Sequence, residues 1–490
     1  MRRDRRSNSQ APESDYTADI GIECHIQLKT ASKLFCSCSN DSRQEDPNTT
    51  VCPVCLGLPG TLPVLNKRAV ELAMQAGIAL NARVAEHTKF DRKNYFYPDL
   101  PKGYQITQYD QPIIGAGEVA VPLENDSFSV RIVRAHMEED AGKLVHPESA
   151  DYSLVDLNRA GTPLLEIVSQ PDMHSPAQAK AYARELYYRM LYVGASDVDL
   201  YHGNMRFDLN VSVRPSGSDR FGTRTEIKNM NSFRNVERAA DYEIGRQIQL
   251  LENGQLVTQE TRGWDEQKTY LMREKEEAED YRYFPEPDIP PLELDRSKRE
   301  QVEQELPPLL THVRHTLRAT GLEQTKIEAL INQPRLAMLG LSVLEEITDP
   351  ASRDRIVNWL TSEVVRLLRA EDFDWDDFAL SVGQLGELSD MTADDELNSS
   401  AAKQVLGEMV TSPRSPRQIA EEKQLIQTSD AGEIESIVDQ VIQNNPQAAQ
   451  DVRDGKSKAI GFLTGEVMKA SQGQTNPQIV KDLLEHKLNQ

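Results

Sequence analysis

Alternation of apolar and polar residues near the N-terminus is the feature that most constrains the fold. Apolar residues occupy every second position from Ile20 to Leu28, and Glu23, His25 and Gln27 fall between them. Successive side chains of a β-strand point to opposite faces. The segment therefore predicts a strand with one face in the core and a carboxylate beside an imidazole on the other. Taken alone, it is also compatible with a solvated strand face that has no function.

Three later segments, residues 131–143, 206–213 and 224–228, repeat this arrangement. The residues that share their polar faces are Arg134, His136 and Glu138, followed by Glu139, Asp140 and Lys143; Arg206, Asp208 and Asn210; and Arg224, Glu226 and Lys228. Clustered carboxylates suit Mg²⁺, and neighbouring cations can hold phosphate oxygens. If the segments converge, they predict one concave metal-binding surface. His25 is an unusual ligand for a cation as hard as Mg²⁺, so it is expected either to contact the ligands without binding the metal or to bind Mn²⁺. Surface ion-pair ladders would give the same pattern.

Four of the five cysteines fall within one short window. Cys36 and Cys38 are separated by one residue, and Cys52 and Cys55 by two. Two close thiol pairs joined by a loop can close a tetrahedral zinc site. This predicts structural Zn²⁺, because no position is left open for water. Two free thiol pairs and a redox role are the alternatives.

Changes in pattern divide the 490 residues into successive regions. Residues 1–18 are expected to be a disordered tail, and residues 19–295 to be strand-rich with helical inserts at 67–80 and 176–192. Residues 296–410 have helical periodicity, and a Pro/Ser-rich hinge at 411–417 precedes short helices over 415–490. The chain is therefore predicted to be an α+β protein, with a β-rich domain carrying the cysteine loop 36–55, a helical domain and a small helical tail domain.

Several classes of protein are excluded at this stage. No run of 18 apolar residues is present, and the basic N-terminus lacks an apolar region, so neither a membrane span nor a secretory signal is expected. The net charge of −23 argues against a nucleic-acid packaging protein, although a local basic face could still contact RNA. All five cysteines precede Leu56, which favours a reducing cytoplasm.

The common nucleotide-binding loops are missing from the sequence. Residues 115–120 fit the spacing G-x-G-x-x-A, but a strand and turn follow them and not a helix, so a dinucleotide site is rejected. No phosphate-binding loop with a lysine after its second glycine occurs. Residues 90–98 combine aromatic side chains with Arg92 and Lys93, which suits stacking and phosphate binding or a loop packed by its own rings.

Longer segments closely resemble the B subunits of aspartyl/glutamyl-tRNA amidotransferases, from about Ala18 to the C-terminus. The segments are GIECHIQLKT at 21–30, KFDRKNYFYPD at 89–99, HMEEDAGK at 136–143, VDLNRAGTPLLEIV at 155–168, IKNMNSF at 227–233, DYRYFPEPD at 280–288 and GKSKAIGFLTGEVMK at 455–469. The resemblance implies a cradle-like catalytic domain, a helical domain and a tail domain that helps to hold tRNA.

The resemblance also implies an activity and partners. The B subunits of this family use ATP and Mg²⁺ to activate the side-chain carboxylate of Glu-tRNA(Gln) or Asp-tRNA(Asn) as an acyl phosphate. Ammonia from a partner amidase, the A subunit, then forms the amide, and a small C subunit ties the two together. The charged tRNA is the macromolecular substrate, and the expected location is the cytoplasm.

Site residues are carried over from the resemblance by position. The implied Mg²⁺ ligands are Glu23, His25, Glu138, Glu139, Asp208 and Glu226. The implied cofactor-binding cations are Lys93, Lys228 and Arg224, and the catalytic group is Glu23, His25, Glu139 and Lys93. The zinc quartet occurs in some members of the family and is expected to be structural. The cations expected to give the tail a local positive charge are Lys456, Lys458 and Lys469, although Glu466 stands where the family usually has Gln.

Two other functions are compatible with parts of this sequence. One is a non-catalytic tRNA-binding scaffold with a zinc knuckle, in which the carboxylates form only surface ion pairs. The other is a self-sufficient glutaminase, which would need Cys24 as its nucleophile. The alternation disfavours it, because it points Cys24 into the core and away from His25.

Overall fold

The computed structural model describes residues 15–490 apart from 124–125, 148–149, 275–280, 369–372, 374, 428–430, 455, 472–474, 476 and 489–490. The chain separates into two compact units, which divide between His312 and Val313. Among the described residues, none of the helices combines the length and the apolar composition of a membrane-spanning segment.

The first unit contains all of the β-strands among the described residues. Its strands are β1 (Tyr16–Gln27), β2 (Ala82–Val84), β3 (His87–Thr88), β4 (Asp91–Asn94), β5 (Tyr104–Thr107), β6 (Ile114–Pro122), β7 (Ser127–Glu139), β8 (Lys143–Val145), β9 (Leu154–Asp156), β10 (Pro163–Ser169), β11 (Met205–Pro215), β12 (Thr225–Met230), β13 (Glu260–Trp264), β14 (Thr269–Glu274), β15 (Phe284–Pro285) and β16 (Leu292–Glu293). Its helices are α1 (Lys67–Ala79), α2 (Pro176–Tyr192), α3 (Phe233–Glu252) and α4 (Arg296–Gln304).

Twelve of the described strands form one mixed sheet, with β1 near its centre. The order is β14-β13-β12-β11-β1-β10-β7-β5-β4-β15, and β6 pairs with both β7 and β2. Strand β1 is antiparallel to β10 and β11, whereas β12 and β13 run parallel. This topology brings strands that are distant in sequence side by side around β1.

Helices cover one face of the sheet. Helix α2 packs against β1, α3 packs against β11, and α1 packs against β6. Ser175 and Ser232 cap the starts of α2 and α3 by accepting backbone N–H groups, which fixes where these helices begin. The apolar side of β1, from Ile20 to Ile26, is buried beneath this layer together with side chains of all three helices. The alternate residues of β1 therefore point to the opposite face.

The second unit is helical in the residues described. Its helices are α5 (Leu310–Ala319), which begins just before the division, α6 (Gln324–Leu330), α7 (Pro334–Glu346), α8 (Pro350–Trp359), α9 (Val365–Leu368), α10 (Val382–Ala393), α11 (Ser399–Met409), α12 (Pro416–Glu422), α13 (Ala431–Asn444), α14 (Pro446–Arg453), α15 (Ser457–Ala470) and α16 (Pro477–Leu488). A π-helical turn, Leu360–Val364, joins α8 to α9. Helices α13–α16 share a separate apolar core around Val438 and Leu463.

Most predicted elements are confirmed. The N-terminal strand, both helical inserts and the α+β class are present, and residues 115–120 lie within β6, so they form no nucleotide-binding loop. The segment 131–143 is not one strand, because β7 ends at Glu139 and Lys143 begins β8.

Two predicted boundaries need correction. The tail prediction for residues 1–14 lies outside the described residues, but residues 16–18 already belong to β1, so that part of it is wrong. The predicted end of the β-rich domain at residue 295 falls before α4, yet α4 packs on α1 in the first unit. Val302 of α4 is buried in the same core as β1, which explains why the unit extends further. The predicted division at 410–415 lies inside the second unit.

Candidate active site

Polar side chains from neighbouring strands meet on the face of the sheet opposite the helices. His25 of β1 lies opposite Glu166 of β10 in register, and Glu166 lies opposite His136 of β7. On the other side of β1, Glu23 lies opposite Asp208 of β11. Residues directly opposite each other in a sheet share a face and are close enough to interact. The convergence that the sequence left open is therefore present around β1.

The first group of these residues is a histidine cluster, formed by His25, His136, Glu138 and Glu166. The Nε2 atoms of His25 and His136 lie 3.4 and 3.3 Å from Oε2 of Glu166, and each lies 3.7 Å from Glu138. Burial alone would lower the pKa of both imidazoles, but the two carboxylates outweigh it and raise each pKa to about 9. Burial likewise opposes ionisation of Glu166, yet the imidazoles hold its pKa well below the usual range.

The second group is a carboxylate cluster, formed by Glu23, Asp208 and Glu226. Lys228 of β12 bridges two of its members, with Nζ at 2.9 Å from Asp208 and 2.8 Å from Glu226. Burial, and then the negative charges of Glu166 and the other cluster members, raise the pKa of Glu23. Burial would lower the pKa of Lys228, but Asp208 and Glu226 raise it. This cluster thus concentrates negative charge that one ammonium only partly balances.

Both groups fit a divalent cation. Ligand atoms of Glu23, Asp208 and Glu226 lie within 4.8 Å of one another, and the same holds for His25, Glu138 and Glu166. Asn210 donates to Glu23 at 2.9 Å, while its own buried Oδ1 has no hydrogen-bond partner among the described residues. Oxygen ligands of this kind are those that Mg²⁺ prefers, whereas the histidine cluster would also suit Mn²⁺.

Glu139 lies outside both clusters, unlike the prediction that grouped it with Glu23 and His25. Its carboxylate forms a buried ion pair with Lys102 and accepts the backbone N–H of Ile106 at 2.9 Å. The reason is the alternation itself, since neighbouring residues of a strand point to opposite faces and Glu138 takes the side of the clusters.

The predicted cofactor-binding cations occupy different surroundings. Lys228 is part of the carboxylate cluster. Lys93 of β4 faces the rings of Tyr281 at 4.7 Å and Tyr95 at 5.6 Å, and forms no ion pair with any described residue. Arg224 is exposed and precedes the start of β12. Lys93 is therefore a positive charge held by aromatic rings, as the mixed aromatic and basic segment suggested.

The four predicted cysteines come together in one site. The sulfur atoms of Cys36, Cys38, Cys52 and Cys55 lie within 4.8 Å of one another, and none forms a disulfide. The neighbouring Cys36 thiol, the backbone of Cys52 and the Lys33 ammonium lower the pKa of Cys55 to about 4 despite its burial. Four sulfur ligands at this spacing fit a closed tetrahedral site. Cys24, by contrast, is fully buried in the core, as the alternation predicted.

Three polar residues at the site were not assigned a role from the sequence. Glu166 lies within the apolar strand β10. A single charged residue in such a strand was the sequence signal that could have identified it as a site residue. His136 and Asn210 were placed on the correct faces without a function. Their roles depend on cross-strand register, which joins Glu166 to His25 of a strand more than a hundred positions away and to His136 of a nearer one.

Comparison with known proteins agrees with the sequence resemblance. The model of the GatB/GatE catalytic domain matches residues 18–300, and that of the GatB domain matches residues 342–488. The chain is 47% identical over 479 residues to the B subunit of the aspartyl/glutamyl-tRNA(Asn/Gln) amidotransferase of Moorella thermoacetica, covering 97% of this chain and 100% of that protein. It is 46% identical over 480 residues to the protein of the same name from Carboxydothermus hydrogenoformans, covering 97% and 99%.

A plant protein is similar over nearly the same length. The chain is 45% identical over 481 residues to the chloroplastic/mitochondrial B subunit of the glutamyl-tRNA(Gln) amidotransferase of Oryza sativa subsp. japonica, covering 96% of this chain and 88% of that protein. The similarity therefore includes both the sheet with its two clusters and the helices of the second unit.

Proposed function

The chain belongs to the family of tRNA-dependent amidotransferase B subunits, and from this premise we propose that its polar face activates a tRNA-bound carboxylate with ATP. The substrate is Glu-tRNA(Gln), Asp-tRNA(Asn) or both, and the products are the corresponding amides. The observation that carries the proposal is the pair of clusters on the open face of the sheet, in the unit that matches the catalytic family model.

The chemistry explains why such a face is needed. A carboxylate does not react with ammonia until one of its oxygens becomes part of a good leaving group. In the first step that oxygen attacks the γ-phosphorus of ATP, the bond to the β,γ-bridging oxygen breaks and ADP leaves. In the second step ammonia attacks the acyl carbon, inorganic phosphate leaves and the nitrogen loses a proton. The first step brings two anions together, so positive charge must be fixed at the site.

Each part of the face has a place in this scheme. Glu23, Asp208 and Glu226 would hold one Mg²⁺, and His25 with Glu138 and Glu166 would hold a second divalent cation. The bound metal would offset phosphate charge and align the reacting oxygens. Lys228 and Lys93 provide cations for phosphate oxygens, Lys93 without competition from a carboxylate of the described residues. Glu139 is left out, because Lys102 already holds its carboxylate.

The remaining parts of the proposal are the partner subunits, the structural metal and the residues that contact tRNA. We expect ammonia to come from an amidase, the A subunit, with a small C subunit completing a heterotrimer. The four cysteines would hold a structural Zn²⁺. In the tail, Lys458 and Lys469 are exposed on α15, whereas Lys456 pairs with Asp451 at 2.8 Å. These side chains are candidates for tRNA phosphate contacts, which are electrostatic and independent of sequence.

The experiment that tests the proposal measures ADP formation by the chain co-purified with its partner proteins. ATP and Mg²⁺ are supplied with Glu-tRNA(Gln), and correctly charged Gln-tRNA(Gln) is the control substrate. ADP should form only with the mischarged tRNA. Glu23→Gln, which removes charge with little change in volume, should reduce ADP formation by about tenfold to a hundredfold, as expected when a metal site is weakened.

Glu252→Gln is the matched control, since Glu252 is exposed at the end of α3. Unchanged ADP formation in Glu23→Gln would refute the metal assignment. ATP left intact by the unaltered complex, with tRNA still bound, would refute the activation step and favour a tRNA-binding scaffold.

A further inference from the structure

Lys33 is a fully buried lysine beside the four clustered cysteines of the first unit. Its Nζ donates to the backbone carbonyl of Thr50 at 2.8 Å and lies 3.8 Å from Sγ of Cys55. Among the described residues, no carboxylate forms an ion pair with it. A lysine is almost never fully buried unless its charge is paired. The ammonium of Lys33 therefore needs an anionic partner that is neither Asp nor Glu.

The sulfur of Cys55 can supply the missing negative charge. The four cysteine sulfurs lie within 4.8 Å of one another, and cysteine binds metal as the thiolate. Four thiolates around one Zn²⁺ leave two negative charges in excess. One ammonium in contact with a ligand sulfur offsets half of that excess. The buried lysine and the cysteine site thus each provide the charge that the other lacks.

Hydrogen bonds join Lys33 to both cysteine pairs. Its backbone N–H donates to the carbonyl of Cys38 at 2.9 Å, while its ammonium reaches Cys55 and the carbonyl of Thr50, which precedes Cys52 by two positions. The backbone N–H of Cys52 also donates to Sγ of Cys55, at 3.1 Å. The Cys55 sulfur therefore faces one neutral donor and one charged donor. Hydrogen bonds that involve a charged group are stronger than those between neutral groups.

Gly161 packs over Lys33 and Cys55. A Cβ atom at position 161 would lie 3.4 Å from Cβ of Cys55 and 3.5 Å from Cδ of Lys33, and the φ of +87° favours glycine there. The carbonyl of Gly161 accepts the backbone N–H of Leu34 at 2.9 Å, which fixes this turn against the residue after Lys33. Electrostatic contacts are stronger in such a buried setting than in water. The contact between Lys33 and Cys55 is therefore shielded from solvent.

We propose that Lys33 is the counter-ion of a zinc–thiolate site and determines how tightly this chain retains zinc. The inference rests on the proposed function only through its assignment of structural Zn²⁺ to the cysteines, and it does not involve the reaction with ATP. Lys33 is a positioning residue, because it acts on a metal ligand and does not bind the metal. The competing explanation is a lysine that only supports the loop through the carbonyl of Thr50.

The test compares Lys33→Met with the unaltered protein, using the full-length chain with its co-purified partner proteins. Methionine is unbranched like lysine, carries no charge and suits a buried site. Lys67→Met is the matched control, because the Lys67 side chain is exposed at the start of α1. Competition with a chelator of known affinity gives the dissociation constant for Zn²⁺. The absorption spectrum of the Co²⁺-substituted protein reports electron donation by the ligand sulfurs.

Lys33→Met should weaken zinc binding by about tenfold to a hundredfold, the usual effect of losing a hydrogen-bond partner of a metal ligand. The sulfur-to-cobalt charge-transfer band should move to longer wavelength, because a sulfur that loses a charged donor gives up its electron more easily. Lys67→Met should change neither the affinity nor the spectrum. If Lys33→Met keeps both the zinc affinity and the cobalt spectrum of the unaltered protein, the inference is overturned.

Urea unfolding separates a counter-ion from a lysine that only supports the loop. With zinc removed by a chelator, Lys33→Met should be at least as stable as the unaltered protein, because an apolar side chain replaces a buried charge. With zinc present it should be less stable than the unaltered protein, because weaker zinc binding adds less to the stability of the folded state. Equal destabilisation with and without zinc would also overturn the inference.

These outcomes are separable from failure of the proposed reaction. If the unaltered complex forms no ADP with mischarged tRNA, carboxylate activation is refuted, and the zinc measurements still decide the role of Lys33. If the unaltered chain binds no zinc, the metal assignment and the inference are both refuted, and ADP formation still tests carboxylate activation.

Discussion

Glu23 and Glu139 both carry carboxylates on strands of the main sheet, but the charges around them have opposite signs. Glu23 lies among other carboxylates, whereas Glu139 lies beside an ammonium group. Glu23 lies among Glu166, Asp208 and Glu226, and burial together with these neighbours raises its pKa. Its ionised form is therefore disfavoured in the folded protein. Glu139 pairs with Lys102, and their side chains are only 3% and 9% exposed. Glu23 is therefore held at a cost in stability, as functional groups often are, whereas Glu139 contributes to the stability of the fold.

Substitution by glutamine should separate these two roles. Glu139→Gln leaves the Lys102 ammonium buried without a counter-ion, which should lower the free energy of unfolding by about 3–5 kcal/mol. Glu23→Gln removes like-charge repulsion, so it should leave that free energy unchanged or raise it while ADP formation is lost. Urea unfolding, followed by circular dichroism, measures the free energy of unfolding of both variants. If Glu23→Gln were destabilised as strongly as Glu139→Gln, its role would be structural.

Single residues also show where prediction from the sequence stops. Alternation gives the face of a side chain, and on that basis Cys24, Glu23 and His25 were placed correctly. It does not give register, which decides that Glu166 lies opposite His25. Nor does it show that Lys102 lies close enough to hold Glu139. These contacts depend on strand order in the sheet, which long connections between distant strands leave open.

The loop between the two cysteine pairs is an element with few apolar residues of its own. It is tied to the hairpin of β8 and β9 through the Asn48 side chain, which donates to Val155 at 2.9 Å, and to the following turn through Thr50, whose N–H donates to Asn158 at 2.9 Å. Asn40 and Asn158 both line a cavity of about 1000 Å³ in the first unit. The loop therefore forms part of the cavity wall, anchored at both ends by the cysteines. Spacing predicted the cysteine cluster, but not this contact with the cavity.

Loss of the zinc ion should loosen the cysteine loop more than it loosens the rest of the chain. We expect the purified protein to contain one zinc ion per chain, and Cys52→Ser to lose it, because four sulfur ligands close the site. Hydrogen exchange over residues 39–51 and 143–158 should then become faster, while exchange in helices α13–α16 stays the same. Zinc content by mass spectrometry and peptide-level hydrogen exchange provide the readouts. Exchange that is unchanged in the loop of a zinc-free variant would contradict an anchoring role.

At the scale of the whole molecule, the change from strand-rich to helical sequence does not coincide with the division between the compact units. Periodicity changes at residue 296, where α4 begins, but the unit continues to His312. Leu306 and Leu309 also pack against the first core, and Lys298 pairs with Glu71 of α1 at 2.8 Å. Helical periodicity reports local structure and carries no information about which core a helix joins. The sequence therefore predicted the order of the regions better than their boundaries.

Fragments that end on either side of α4 test this assignment. A fragment that ends at residue 295 exposes the apolar surface that Val302, Leu306 and Leu309 cover. Burial of one such side chain contributes about 1.5–3 kcal/mol, so the fragment that ends at residue 309 should be more stable by at least about 2 kcal/mol. Urea unfolding of the two fragments, monitored through the β-sheet signal in circular dichroism, gives the comparison. Equal stabilities would mean that α4 is not part of the first core, and that the change in periodicity at residue 296 marks the boundary after all.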